Sequence, residues 1–184
     1  MANLLTPQTR ETAPAAAVPV LDKIQKTFGF TPNLMATFAN SPAVLEGYLA
    51  LDAHFEKTAF MPVERQIILL AASVENHCGY CIAAHSTIAK GFLHAGAEQI
   101  AAVREGRATG DRKIDALVKL TREIVEKRGY ATTGTIEEFV AAGYRPAQTM
   151  ELLLGVALKT ISNYLDHFNP APLDPAFAQE AVAQ

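Results

Sequence analysis

The sequence predicts an all-α protein, and three observations carry that prediction. Nothing in the 184 residues alternates apolar and polar with period two between turn signals, so no strand is expected. Helix start and stop signals recur instead: Thr31-Pro32 and Ser41-Pro42, Pro62 and Pro146, then Gly29, Gly91, Gly106 and Gly129. The segments between them carry apolar residues at helical spacing. A hydrophobic content of 49 % over this length suggests one globular domain with a real core.

Residues 1–18 are rich in Pro, Ala and Thr, have no apolar period, and read as an extended arm, mobile or laid over a neighbouring subunit. The single domain is expected over 19–184, with its motif core at about 42–128. Leu21, Ile24 and Phe28 keep helical spacing from Val20, and Gly29 ends that helix. Thr31 and Ser41, each followed by proline, should cap a short helix to about Ala39 and a long one to about Lys57. His54 sits alone on the long helix's broad apolar surface, where a packing role is commoner than a ligand role. Pro62 opens a helix apolar nearly all round (Val63, Ile67 to Ala72, Val74), as buried helices are.

Next comes ENHCGYCIAAHSTIAKG, with Asn76 as expected N-cap and Gly91 as stop. A helix over Gly96–Gly106 follows, then one from the Asp111 cap to Lys127, ended by Gly129. Thr135-x-x-Glu138 reads as a capping box for a helix to about Ala142, and Pro146 opens the last long helix. That helix sets Lys159, Asn163 and His167 at i, i+4, i+8. Such a stripe is either its solvated side or the lining of a cleft.

The chemistry is concentrated in the Cys78–His85 stretch, which holds both cysteines of the chain. At 3.6 residues per turn, Cys78 and Cys81 lie about 60° apart around the axis and His85 returns to within about 20° of Cys78. Two thiols and an imidazole thus share one helix face. Free N–H groups and the positive dipole end at a helix start stabilise a thiolate. A histidine one turn on can exchange its proton near neutral pH. The spacing suits a peroxide-reducing or disulfide-exchanging pair, in which one thiolate becomes a sulfenic acid and its neighbour condenses with it. Zinc held by Cys78, Cys81, His85 and His77, His54 or His167 is a rival, but structural zinc normally draws on a second Cys/His pair, which the sequence lacks. No metal or cofactor is therefore expected. His77 and His94 read as exposed loop residues.

A formal net charge of −3 without a basic stripe argues against nucleic acid. The longest apolar runs are far short of a membrane span, and the N-terminus lacks the basic region of a secretory signal. Few cysteines and no second pair suit a reducing cytoplasm.

The stretch MPVERQIILLAASVENHCGYCIAAHS resembles the signature of the alkylhydroperoxidase D-like, or carboxymuconolactone decarboxylase-type, family, in its peroxidase-related branch. FGFTPNL and SPAVLEGYLAL resemble that family's N-terminal helices, and ISNYLDHFNPAPLD its C-terminal segment, so the likeness covers nearly everything after about Val18. It implies an AhpD-like helical bundle with CxxC at the start of a central helix, assembled as a homo-oligomer (trimer or hexamer). It further implies a thiol peroxidase in which Cys81 attacks the hydroperoxide, Cys78 resolves and His85 acts as acid/base. A lipoyl-type or thioredoxin-like dithiol would restore the pair.

Two positions depart from the family pattern. Its relay glutamate falls on Gln66, which carries no proton, and a histidine between the cysteines is replaced by Tyr80. Gln66 reads equally as a core amide or as one orienting His85 or a water. Tyr80 is either a packing aromatic or a donor to the bound oxidant. The resemblance also places Asn163 and His167 near the site, with His167 as a candidate for substrate contact. A decarboxylase-type lyase and a non-enzymatic redox sensor are the alternative functions.

Overall fold

A computed structural model describes residues 4–182. About 66 % of it is helical, and the described residues contain no strand, as the patterning predicts. The helices are α1 (Val18–Phe28), α2 (Asn33–Phe38), α3 (Pro42–Phe55), α4 (Pro62–Glu75), α5 (Gly79–Thr87), α6 (Ala97–Glu105), α7 (Arg112–Glu126), α8 (Thr133–Ala141) and α9 (Gln148–Phe168). A π-helical turn, Ile88–Phe92, continues α5, and a 3₁₀ helix, Pro175–Glu180, follows α9.

α4 is the hub. Its all-round apolar sequence buries Ile67 to Ala72 and packs it against α5, α6, α7 and α9. α9 lies against α3 and α4, and both α4 and α9 pack on α5. The 3₁₀ helix packs along α5, where Phe177 meets the rings of Tyr80 and Phe30 at 5.9 and 5.8 Å. Glu180 anchors it through ion pairs with Lys90 and Arg104. Among the described residues, no helix is long and apolar enough to cross a membrane.

Several helix ends differ from expectation, each for a local reason. Thr31 caps nothing; its hydroxyl donates to Gln25 Oε1, and Pro32 becomes the N-cap of α2. α3 ends at Phe55, short of Lys57, and Ser41 stands at its N-cap without a side-chain bond. Thr132, not Thr135, caps α8 by accepting the Thr135 N–H, which leaves Thr135 buried inside the helix. Gly91 does not stop α5. The π turn carries the chain past it, and His94 supplies the left-handed residue at φ 53°.

The N-terminal arm, expected to be extended, turns repeatedly over residues 10–17 and packs on its own chain. Leu5 exchanges two hydrogen bonds with the Asn169 amide (3.0 and 2.8 Å), and the Gln8 N–H donates to Ala36 O at 3.0 Å. Residues 1–3 of the arm and 183–184 of the domain lie outside the described residues.

Candidate active site

The corner between α4 and α5 builds the site. α4 closes in a Schellman arrangement, with His77 in the left-handed region (φ 57°), His77 N–H bonded to Val74 O and Cys78 N–H to Ser73 O, both at 3.0 Å. This places Asn76 as the C-cap of α4, not the N-cap of α5. Cys78 takes the N-cap itself: its backbone is extended and its Sγ accepts the Cys81 N–H at 3.4 Å. The Asn76 amide instead donates to Asn163 Oδ1 at 3.0 Å, tying the corner to α9.

The two cysteines lie 3.2 Å apart, and both are buried, at 1 % and 2 % exposure. Three elements close around them. From α4, Gln66 Oε1 meets His85 Nδ1 at 2.9 Å. From α9, Lys159 Nζ meets His85 Nε2 at 2.9 Å, Ser162 Oγ lies 3.9 Å from Cys81 Sγ, and Asp166 Oδ2 accepts from Cys78 Sγ at 3.4 Å. From α3, Tyr48 and Asp52 lie in the electrostatic range of Lys159.

These bonds fix the protonation pattern. An ammonium is donor-only, so Lys159 donates to Nε2, and His85 must carry its proton on Nδ1 and donate it to Gln66. His85 is thereby held neutral: burial, and then the Lys159 charge, push its pKa well below the usual histidine range. Burial opposes the charge on Lys159, but the Cys81 thiolate, Tyr48 and Cys78 outweigh that and raise its pKa. Burial likewise pushes the Cys81 thiol up. The Cys78 thiol donating to it and the Lys159 ammonium more than reverse this, and Cys81 falls to about 6. Cys78 moves the other way, raised by its hydrogen bond to Cys81 and then by burial. One cysteine is a thiolate at neutral pH and its neighbour is a thiol.

The neutral His85 has a consequence for stability. Its pKa is depressed in the folded state, so below about 6.5 the unfolded chain binds a proton that the folded chain refuses. That contribution is fully present above about 6.5 and is lost as the pH falls toward the folded value. Urea midpoints measured between pH 7.5 and 5 should therefore drop more in the wild type than in His85→Gln. Equal slopes would show that His85 is not held neutral.

The structure brings Gln66, Cys78, Cys81 and His85 into one cluster, but other candidates stand elsewhere. Tyr80 does not face an oxidant: its hydroxyl donates to Asp174 and accepts the Leu34 N–H, as a buried packing aromatic. Asn163 is buried, with its amide bonded to Asn76 and Ser73, and acts as a clamp between helices. His167 is exposed beside Tyr164 and is not part of the cluster. Successive i+4 steps rotate about 40° each, so over eight residues the stripe has turned about 80° off the buried face. The polar stripe that meets the sulfurs and His85 is instead Lys159, Ser162 and Asp166, at i, i+3, i+7. The two stripes share Lys159 and diverge after it, by one residue at each further step.

Glu64 and Glu75 are engaged away from the sulfurs. Glu64 accepts the Met61 N–H and the Tyr144 hydroxyl, and Glu75 pairs with Arg122. His54 and His77 are exposed, and both ring nitrogens of His85 are occupied, so the four-ligand zinc arrangement is not assembled. Among the described residues no group of three or more His, Cys, Asp or Glu is placed to hold a metal ion.

The model of the carboxymuconolactone decarboxylase family matches residues 42–123, from the start of α3 into α7. The match covers fewer than half of the residues and lies on the part of the chain that carries both cysteines. The family stretch contributes Gln66, Cys78, Cys81 and His85, whereas Lys159, Ser162 and Asp166 come from α9, beyond it. No curated protein sequence matches the chain.

Among solved structures, the chain is similar to the alkylhydroperoxidase AhpD core of a peroxidase-related protein from Ralstonia eutropha JMP134 (TM-score 0.83, 19 % identity, 96 % of each chain covered). It is similar to a peroxidase-related protein from Silicibacter sp. TM1040 (TM-score 0.81, 14 % identity, 95 % and 94 % covered). It is also similar to the debrominase Bmp8, in complex with 2,3,4-tribromopyrrole (TM-score 0.80, 18 % identity, 98 % and 96 % covered). At these identities the likeness establishes the AhpD-like all-α fold.

Proposed function

We propose that the protein is a dithiol peroxidase that reduces hydroperoxides through Cys81 and Cys78. The observation that carries this reading is the asymmetric pair: a buried Cys81 thiolate against the Lys159 ammonium, with a protonated Cys78 3.2 Å away. A thiolate is the nucleophile that attacks a peroxide, and a neighbouring thiol is what converts the product into a disulfide.

Cys81 sulfur attacks the terminal oxygen of the hydroperoxide. The S–O bond forms as O–O breaks, the terminal oxygen keeps its hydrogen as a sulfenic acid, and the alkoxide leaves with a proton from Lys159. Lys159 is suited to give that proton, because the thiolate charge that raised its pKa disappears in the same step. Gln66 takes no part in proton transfer; it holds the His85 ring, and His85 holds Lys159. Cys78 then displaces the oxygen as water and forms the disulfide. A dithiol donor, lipoyl-type or thioredoxin-like, returns the pair to the reduced state by exchange.

We extend the proposal to a homo-oligomer, because α9 leaves Met150, Leu153, Ile161, Tyr164 and Phe168 exposed along its length. Light scattering would contradict this by returning a monomer mass. Steady-state consumption of hydrogen peroxide and cumene hydroperoxide with dihydrolipoamide tests the activity. The wild type should turn over, and Cys81→Ser should not. A decarboxylase-type lyase would keep its activity without either cysteine. A redox sensor would change assembly on oxidation without turnover.

A further inference from the structure

We propose that Asp166 is the catalytic base for disulfide formation, taking the proton of Cys78 as Cys78 attacks the oxidised Cys81. This rests on the dithiol reading above and assigns a role to a residue from α9, outside the family stretch.

The geometry singles it out. Cys78 is 1 % exposed, so bulk solvent does not collect its proton, and its Sγ lies 3.4 Å from Asp166 Oδ2, within reach of that proton once Cys81 no longer holds it. The other carboxylate oxygen accepts the Ala171 N–H at 2.9 Å, which fixes the head so that Oδ2 faces the sulfur. The remaining titratable groups of the cluster are committed elsewhere. His85 has Nδ1 on Gln66 and Nε2 on Lys159, and Lys159 bears on Cys81.

The chemistry also requires a base here. In the reduced state the Cys78 proton is shared with the Cys81 thiolate, and this bond together with burial keeps Cys78 a thiol. A thiol does not attack. Oxidation of Cys81 removes the thiolate charge and leaves Asp166 as the anion beside that proton. The step then balances within the pair. The proton moves from Cys78 Sγ to Asp166 Oδ2, and the Cys78 sulfur lone pair forms the S–S bond. The S–O bond pair leaves with the oxygen, and Asp166 returns the proton to that hydroxide, directly or through one water, giving water. Cys81 is reduced from sulfenic acid to disulfide sulfur and Cys78 is oxidised to it. The oxidant is the hydroperoxide consumed in the preceding step.

The test separates two steps in Asp166→Asn, whose amide oxygen can still accept the Ala171 N–H. Sulfenic acid formation should be no slower than in the wild type, because the Asp166 charge opposes the Cys81 thiolate. Disulfide formation at pH 7 should slow about 100-fold, the low end for loss of a positioned base. The deficit should shrink as rising pH ionises Cys78 unaided, whereas the wild-type rate stays flat. A wild-type rate of disulfide formation in the variant would overturn the proposal. So would a deficit of the same factor at every pH, which marks a structural role.

A second arm uses no peroxide. Cys81 capped with methyl methanethiosulfonate should be attacked by Cys78 with release of methanethiol, again more slowly in Asp166→Asn at pH 7. Equal release would overturn the role of Asp166. A wild type that makes no sulfenic acid with peroxide would sink the peroxidase reading alone, because the capped protein still decides on Asp166.

Discussion

Replacing Lys159 with methionine is expected to slow oxidation of Cys81 by hydroperoxide at pH 7 by about 100-fold, a loss dominated by the missing proton donor. Two effects contribute, and their sizes differ. Without the ammonium, the Cys81 thiol should rise from about 6 toward an ordinary thiol value, since burial is then opposed by the Cys78 hydrogen bond alone. With a free-thiol pKa of about 8.5, the thiolate fraction at pH 7 falls roughly thirtyfold. Most of this is returned, because a more basic thiolate is intrinsically more nucleophilic, with a Brønsted slope of about 0.4–0.5. Loss of the general acid for the departing alkoxide is not returned, and such groups contribute about 100-fold or more.

The diagnostic readout is therefore the pH profile. The wild-type oxidation rate should rise to a plateau through about pH 6, following the Cys81 thiolate. The Lys159→Met rate should still be climbing at pH 8. Methionine fills a similar volume, and Cys81 can take up a proton instead of standing as an unpaired buried charge, so the variant should fold. An unshifted profile would mean that Lys159 does not set the thiolate.

Gly155→Val should be the most damaging single substitution outside the sulfur chemistry. A Cβ at Gly155 would sit 2.7 Å from Ile68 Cγ2 and 2.9 and 3.1 Å from the Phe55 ring atoms Cζ and Cε2. Both neighbours are fully buried, on α4 and α3, so neither has solvent to move into. Overpacking of this kind costs about 3 kcal/mol at its upper range. For a chain of this size that is a fall in Tm on the order of 10 °C. A glycine in an open helix would behave in the opposite way, because its replacement improves helix propensity by up to about 1 kcal/mol. Lys159 lies one turn further along the same face of α9. Surviving protein should thus show a raised Cys81 pKa as well as a lower Tm in a calorimetric scan. A Tm equal to the wild type would refute the close α3–α4–α9 contact.

The helices were legible because their signals are local. Gly29 ends α1 in the left-handed region, Asp111 caps α7 through the Lys113 and Ile114 N–H groups, and Pro62 opens α4. Where two local signals compete, the sequence does not rank them. Asn76 is a good N-cap in isolation, yet α4 runs to Glu75 and uses Asn76-His77 as its own terminator, which hands the cap to Cys78. Thr132 and Thr135 are equivalent caps by composition, and only the depth of Thr135 in the core separates them.

The CxxC-x3-H spacing was plain in the sequence because its members are local to one helix. The α9 half of the cluster was not, since contacts across some eighty residues follow from packing. Lys159 was visible as part of a polar stripe, but whether that stripe met water or protein depended on how α9 seats against α4. A one-residue choice of register separated His167, which is exposed, from Asp166, which touches Cys78. Gln66 could not be resolved between a core amide and a partner of His85 until the two helices were placed together.

The measurement that bears most directly on the asymmetric dithiol is single-turnover oxidation of reduced Cys78→Ser by hydrogen peroxide, followed by trapping of the product with dimedone. Serine cannot close the disulfide, so the account predicts fast formation of a stable sulfenic acid on Cys81, with a rate that levels off above about pH 6. The parallel Cys81→Ser variant should oxidise no faster than an ordinary buried thiol. Fast oxidation and dimedone trapping of Cys78 in the Cys81→Ser variant, or oxidation of Cys81 in Cys78→Ser no faster than a free thiol, would contradict it.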